Sequence, residues 1–175
     1  MSTPDPKSLA AEASTAYQAG DYVNAARLFG AAASAFVEAG HELDAAEMHN
    51  NQSVASLMGQ NAQAAFEAAQ GTAAIFLAAG DARRAGMAFS NEAAALEALG
   101  RAEAALAAYR QSAAELEKAG EEQLRASVMQ AMAGLYLRRG KLFEAILAVR
   151  MGVMDLKTPT LKQKILRGLL RLIKV

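Results

Sequence analysis

The sequence predicts an all-α fold: an α-solenoid of four helix pairs, followed by a C-terminal amphipathic helix. Three observations predict it. Gly20, Gly40, Gly59, Gly80, Gly100, Gly120 and Gly140 stand 19 to 21 residues apart, and each closes an alanine-rich amphipathic run. Segments two steps apart resemble each other best, so the repeating unit is a helix pair of 39 to 41 residues, a period characteristic of stacked helical arrays. The connections are only two or three residues long, which forces consecutive helices to pack antiparallel.

In chain order, residues 1–6 carry two prolines and form a frayed tip, and Lys7 opens a run of strong helix formers. Helices are predicted over 7–19, 21–39, 42–58, 61–79, 82–99, 101–119, 121–139 and 141–156. They form repeats of about 7–39, 42–79, 82–119 and 121–156. Asp21, Asn61 and Asp81 follow their turn glycines and suit the free amides of the next helix, whereas Arg101 and Lys141 do not. Glu121 and Glu122 suit the positive end of a helix dipole without a formal cap.

Each second helix also carries two small residues seven apart, Ala25 and Ala32, Ala64 and Gly71, Ala105 and Ser112, Ala145 and Gly152. Two turns of helix place both on one stripe, where backbones approach closely. Between them stand Phe29, Ala68, Tyr109 and Val149, so the second pair is predicted to have the thinnest core.

A turn glycine with a small residue at five, a bulky one at nine and a small one at twelve resembles the tetratricopeptide repeat. Gly20, Ala25, Phe29 and Ala32 fit it, as do Gly100, Ala105, Tyr109 and Ser112. The resemblance covers Lys7 to Leu156, and its period of about 40 residues is similar to the longer repeats of soluble NSF attachment proteins. It implies a right-handed α-solenoid with a concave groove lined by the first helices that takes a peptide or helix. Aligned on the turn glycines, that groove has rows Ala11, Asn50, Asn91, Ala131 and Ser14, Ser53, Ala94, Gly134, with Gln18, Leu57, Ala98, Arg138 beyond. The groove candidates are Asn50, Ser53, Asn91, Glu97, Gln130 and Arg138. An asparagine amide both donates and accepts, which suits the backbone of an extended peptide. Ala10, Ser14 and Met87 stand where a chaperone-tail clamp needs basic residues, so that ligand class is not expected.

Composition narrows the rest. Lysine plus arginine and aspartate plus glutamate number 18 each, which gives no basic field to gather nucleic acid. With no cysteine there is no disulfide or thiolate chemistry, and a cytoplasmic location is expected. His41 and His49 are eight apart, not the three or four of a helical metal pair, and no phosphate loop or nucleophile set can be assembled. No metal, cofactor or catalytic residue is predicted, and the chain is read as a non-enzymatic interaction scaffold with a protein or peptide partner.

Lys157-Thr158-Pro159-Thr160 breaks the array, and residues 160–175 form a different helix. Its leucines and isoleucines cover more than half the circumference, with Lys164, Arg167, Arg171 and Lys174 on the remaining arc. Three roles suit it: capping the last pair, docking on an anionic membrane or a partner, and self-association into a homo-oligomer.

Overall fold

The computed structural model describes residues 5–154 and 156–172, the last two as backbone only. It is all-α among the described residues, and the largest helix–helix contacts join elements adjacent in the chain. The first pair is α1 (Pro6–Gln18) and α2 (Tyr22–Glu38). The second is α3 (Glu42–Met58) with the split helix α4 (Ala62–Ala69) and α5 (Thr72–Ala78). Then come α6 (Ala82–Ala98) with α7 (Ala102–Lys118), and α8 (Glu122–Arg138) with α9 (Leu142–Val153). α10 (Leu161–Leu172) lies against the last pair. No helix among the described residues is long and apolar enough to cross a membrane.

One turn, used seven times, builds this array. In these seven turns the left-handed residue is Gly20, Gly40, Gln60, Gly80, Gly100, Gly120 and Gly140 in turn, so the spacing is 20 residues throughout. After each, the next N–H reaches back to a carbonyl five residues earlier: Asp21 to Ala16, His41 to Phe36, Asn61 to Ser56, Asp81 to Phe76, Arg101 to Leu96, Glu121 to Leu116 and Lys141 to Tyr136, all at 2.9 Å. This is a Schellman closure, and the same residue then caps the following helix. Asp21, Asn61 and Asp81 accept from the backbone N–H three residues on, as does Asp5 ahead of Pro6, while His41, Arg101, Glu121 and Lys141 make no side-chain cap bond.

The second turn corrects the glycine alignment. Gly59 is still right-handed (φ −77°), and Gln60 takes the left-handed position (φ 61°). A side chain there costs about 1–2 kcal/mol against the preceding carbonyl. Gly59, by contrast, has room for a methyl group, whose nearest neighbour is the Ala55 carbonyl oxygen at 3.4 Å. Exchanging them as Gly59→Ala with Gln60→Gly is therefore expected to stabilise the chain by about 1 kcal/mol, read as a higher midpoint in a urea melt.

With the register at 40 residues, the stripe in the second helices becomes Ala25, Ala65, Ala105 and Ala145, all buried, and then Ala32, Thr72, Ser112 and Gly152, also buried. The expected pair Ala64 and Gly71 is thus one residue early. Gly71 does something else: with Gln70 extended (ψ 125°) and Gly71 left-handed (φ 83°), it turns the chain and splits the predicted helix 61–79 into α4 and α5. The Thr72 hydroxyl donates to the Ala69 carbonyl (2.8 Å), giving that freed acceptor a partner. The predicted last helix ends at Val153, short of 156.

A second buried row holds the large side chains, Phe36, Phe76, Leu116 and Leu156, again 40 apart. The expected Ala68 is also one residue early: Ala69 stands in the register of Phe29, Tyr109 and Val149, and Phe76 is the large buried side chain of the second pair.

Candidate functional site

The first helices α1, α3, α6 and α8 form one wall, whose rows follow from the 40-residue register. Ala11, Asn51, Asn91 and Ala131 make one row; Ser14, Val54, Ala94 and Gly134 lie one turn along. One cleft of about 510 Å³ reaches Ala11 between α1 and α2, and two others among the described residues open between pairs. A cleft of about 300 Å³ between the first two pairs is lined by Ser14, Tyr17, Gln18, Phe29, Asn51 and Val54. A second, of about 380 Å³, runs across α6, α7 and α8, with Ser90, Asn91, Ala94, Tyr109, Ser127 and Ala131 among its lining residues. Both are open troughs, and their walls carry no formal charge.

The predicted residues divide. Asn91 lies on the wall in the second cleft, as expected. Asn50 does not: it is 8% exposed and pairs with the Thr72 hydroxyl at 3.1 Å, tying α3 to α5. Ser53 is 1% exposed, in the same core row as Ala13, Ala93 and Ala133. Gly59 preceding its left-handed turn residue displaced both expectations by one position. Their neighbours Asn51 and Val54 occupy the wall instead, and the 40-residue spacing from Asn51 to Asn91 was the signal that could have found Asn51. Gln130 is exposed, in the register of Ser90, and lines neither of these clefts.

Glu97 and Arg138 meet each other. They form an ion pair between α6 and α8, and the Tyr109 hydroxyl donates to the other Glu97 oxygen at 3.1 Å. Arg138 is therefore engaged within the chain, although an exposed pair of this kind contributes only about 0–1 kcal/mol. Next to it, the Arg110 guanidinium donates to the Tyr136 hydroxyl (3.0 Å). The Glu97 contacts tie α6, α7 and α8 at one end of the second cleft, and the Arg110 bond adds a further link between α7 and α8.

Burial, then the adjacent Glu97 charge, pushes the Tyr109 phenol well above its ordinary range. The folded chain holds that proton when the unfolded chain has released it, so stability is full below the ordinary phenol value of 10.0 and falls as pH rises above it. Tyr109→Phe is expected to lose about 1 kcal/mol near neutrality, for the missing hydrogen bond, and to flatten the alkaline fall. Urea melts between pH 8 and 11 read both effects.

Comparison with protein-family models gives no match, and comparison with curated proteins gives none either.

The C-terminal helix makes a contact of a different kind. Leu170 is buried with Ala126, Val153 and Leu156, and Leu166, Ile146 and Val149 pack around them. Arg167 turns inward: its guanidinium donates to the carbonyls of Val153 (3.0 and 2.6 Å) and Leu156 (2.9 Å), which close the end of α9. It therefore caps carbonyls and does not belong to an outward basic face. Lys164 is exposed, while Lys174 and the side chain of Arg171 lie outside the described residues.

Proposed function

We propose that the chain is a non-enzymatic interaction scaffold of tetratricopeptide type whose first-helix wall binds an extended peptide. The observation that carries this reading is the pair Asn51 and Asn91. They stand at the same register place on successive first helices, each half-buried in its own open cleft. Among the described residues, the intrachain side-chain hydrogen bonds engage Asn50 but neither Asn51 nor Asn91. An amide half-withdrawn from water, with no side-chain hydrogen bond among the described residues, is poised to donate to a peptide carbonyl and accept from a peptide N–H. The uncharged small residues around it let a main chain come close whatever its side chains, and the repeat period sets the spacing between the two anchors.

The test is selection of peptides from a random display library on the full chain, followed by titration of the enriched peptides. Asn51→Ala with Asn91→Ala is expected to weaken them by about 10- to 100-fold, since each lost hydrogen bond is worth about 1 kcal/mol or somewhat more. Helicity should be unchanged because neither side chain supports the core. Enriched peptides that bind the double variant as tightly as the parent would contradict the proposal.

A further inference from the structure

The capping contact uses only one side of α10. Leu166, Leu170 and Arg167 face the array, and the opposite side carries Leu161, Ile165 and Leu169, exposed at 73%, 58% and 56%. Those three are four residues apart, so they form one stripe along the helix. Lys162 and Lys164, both exposed, fall on its two flanks at 100° per residue. The Arg167 bonds and the buried Leu170 fix the rotation of the helix, so the stripe is held outward.

The preceding helix repeats the departure. In the 40-residue register, Phe143, Leu147 and Met151 of α9, all exposed, stand where α4 and the turn after it have Gln63, Glu67 and Gly71, and where α7 has Glu103, Ala107 and Gln111. What is a mostly polar outer face inside the array becomes apolar in the last pair. Charge is divided the same way: residues 157–175 hold six lysines and arginines and no acid, and residues 1–156 hold the other 12 bases against all 18 acids. The net zero charge therefore splits into +6 on the tail and −6 on the remainder.

We infer that the outward face of α10 docks on an anionic lipid surface, with Leu161, Ile165 and Leu169 in the acyl boundary and Lys162 and Lys164 at the headgroups. An apolar stripe with a lysine on either flank is the geometry of an interfacial helix, in which aliphatic stems lie along the apolar layer and the ammonium groups reach phosphate. A second copy fits less well, because a two-fold contact through this face would bring two basic tails together.

The experiment is co-sedimentation of the full chain with vesicles of phosphatidylcholine, alone and mixed with phosphatidylserine. Binding is expected only to the mixed vesicles, and it should weaken with added salt. Lys162→Ser with Lys164→Ser should lower partitioning about fivefold for each charge removed. Ile165→Asp with Leu169→Asp should abolish it, with circular dichroism reporting the array intact; the lysine variant gives an independent reading should the aspartates unfold the helix. Absence of sedimentation, equal binding to uncharged vesicles, or binding indifferent to both variants would overturn the inference. So would a dimer in sedimentation velocity that the aspartate variant dissociates, which would assign the face to a second copy.

Discussion

Replacing Phe76 with alanine is expected to destabilise the chain by about 3–5 kcal/mol, the largest single loss anticipated here. Phe76 is fully buried, and its cluster consists otherwise of Ala46, Ala73, Ala85 and Ala88, with Phe89 at the edge and the Arg84 guanidinium 5.0 Å above its ring. Alanines have no side chain to swing into a void, so the cavity would persist instead of collapsing. The loss should also be local. α5 has seven residues and is cut from α4 by Gly71, and a helix that short has no stability apart from its packing. Amide hydrogen exchange should therefore quicken first over 72–79, in the variant and to a lesser degree in the parent, with a urea melt giving the total. A loss below about 1 kcal/mol, outside the range for such truncations, or uniform exchange along the chain would contradict the assignment of Phe76 as the pin of the second pair.

Gly86→Ala is expected to cost about 1–3 kcal/mol, although alanine ordinarily improves a helix interior by about 1 kcal/mol over glycine. Gly86 lies inside α6 where α7 crosses it. A methyl group there would sit 2.7 Å from Leu116 Cγ, 2.9 Å from its Cδ2 and 3.2 Å from its backbone nitrogen. Leu116 is itself buried, its backbone nitrogen cannot swing aside as a side chain can, and the Ser112 hydroxyl holds the helices together by donating to the Gly86 carbonyl at 2.7 Å. The sign of the change is therefore set by close approach and not by helix propensity. Leu116→Ala alone removes a buried leucine and should cost about 2–5 kcal/mol. The double variant should cost less than the sum, because the new methyl group occupies part of the vacated space. Urea melts of the four proteins give the coupling, and strict additivity would mean the two sites are not in contact.

Much of the fold could be read directly. Glycines in left-handed turns, and acids or asparagine as caps, act through bonds within a few residues, so Gly20 with Asp21 or Gly80 with Asp81 carries its meaning locally. The misreadings came where a tertiary register overrides a local sign. Gly59 looks like the turn residue, but the array demands the left-handed conformation at position 60, and Gln60 adopts it. That shift of one residue rotates a helix position by 100°, enough to exchange a wall residue for a core one. Asn50 and Ser53 were consequently expected on the wall and lie in the core, and Asn51 and Val54 were overlooked. Gly71 illustrates the opposite case: its place in a small-residue stripe was plain, but whether it lets two helices touch or lets one turn depends on Asn50 and Thr72, which meet only in the fold. Arg167 has the composition of a basic face, yet the carbonyls left open at the end of α9 draw it inward.

On the proposed function, Asn51 and Asn91 hold an extended chain along the first-helix wall. The most direct measurement is titration of the 15N-labelled full chain with a library-selected peptide, following the asparagine side-chain amide signals. The Asn51 and Asn91 resonances are expected to shift together and saturate at one concentration, with Asn50 unmoved in the core. Shifts confined to 161–169, or Asn51 and Asn91 standing still while the peptide binds, would contradict it.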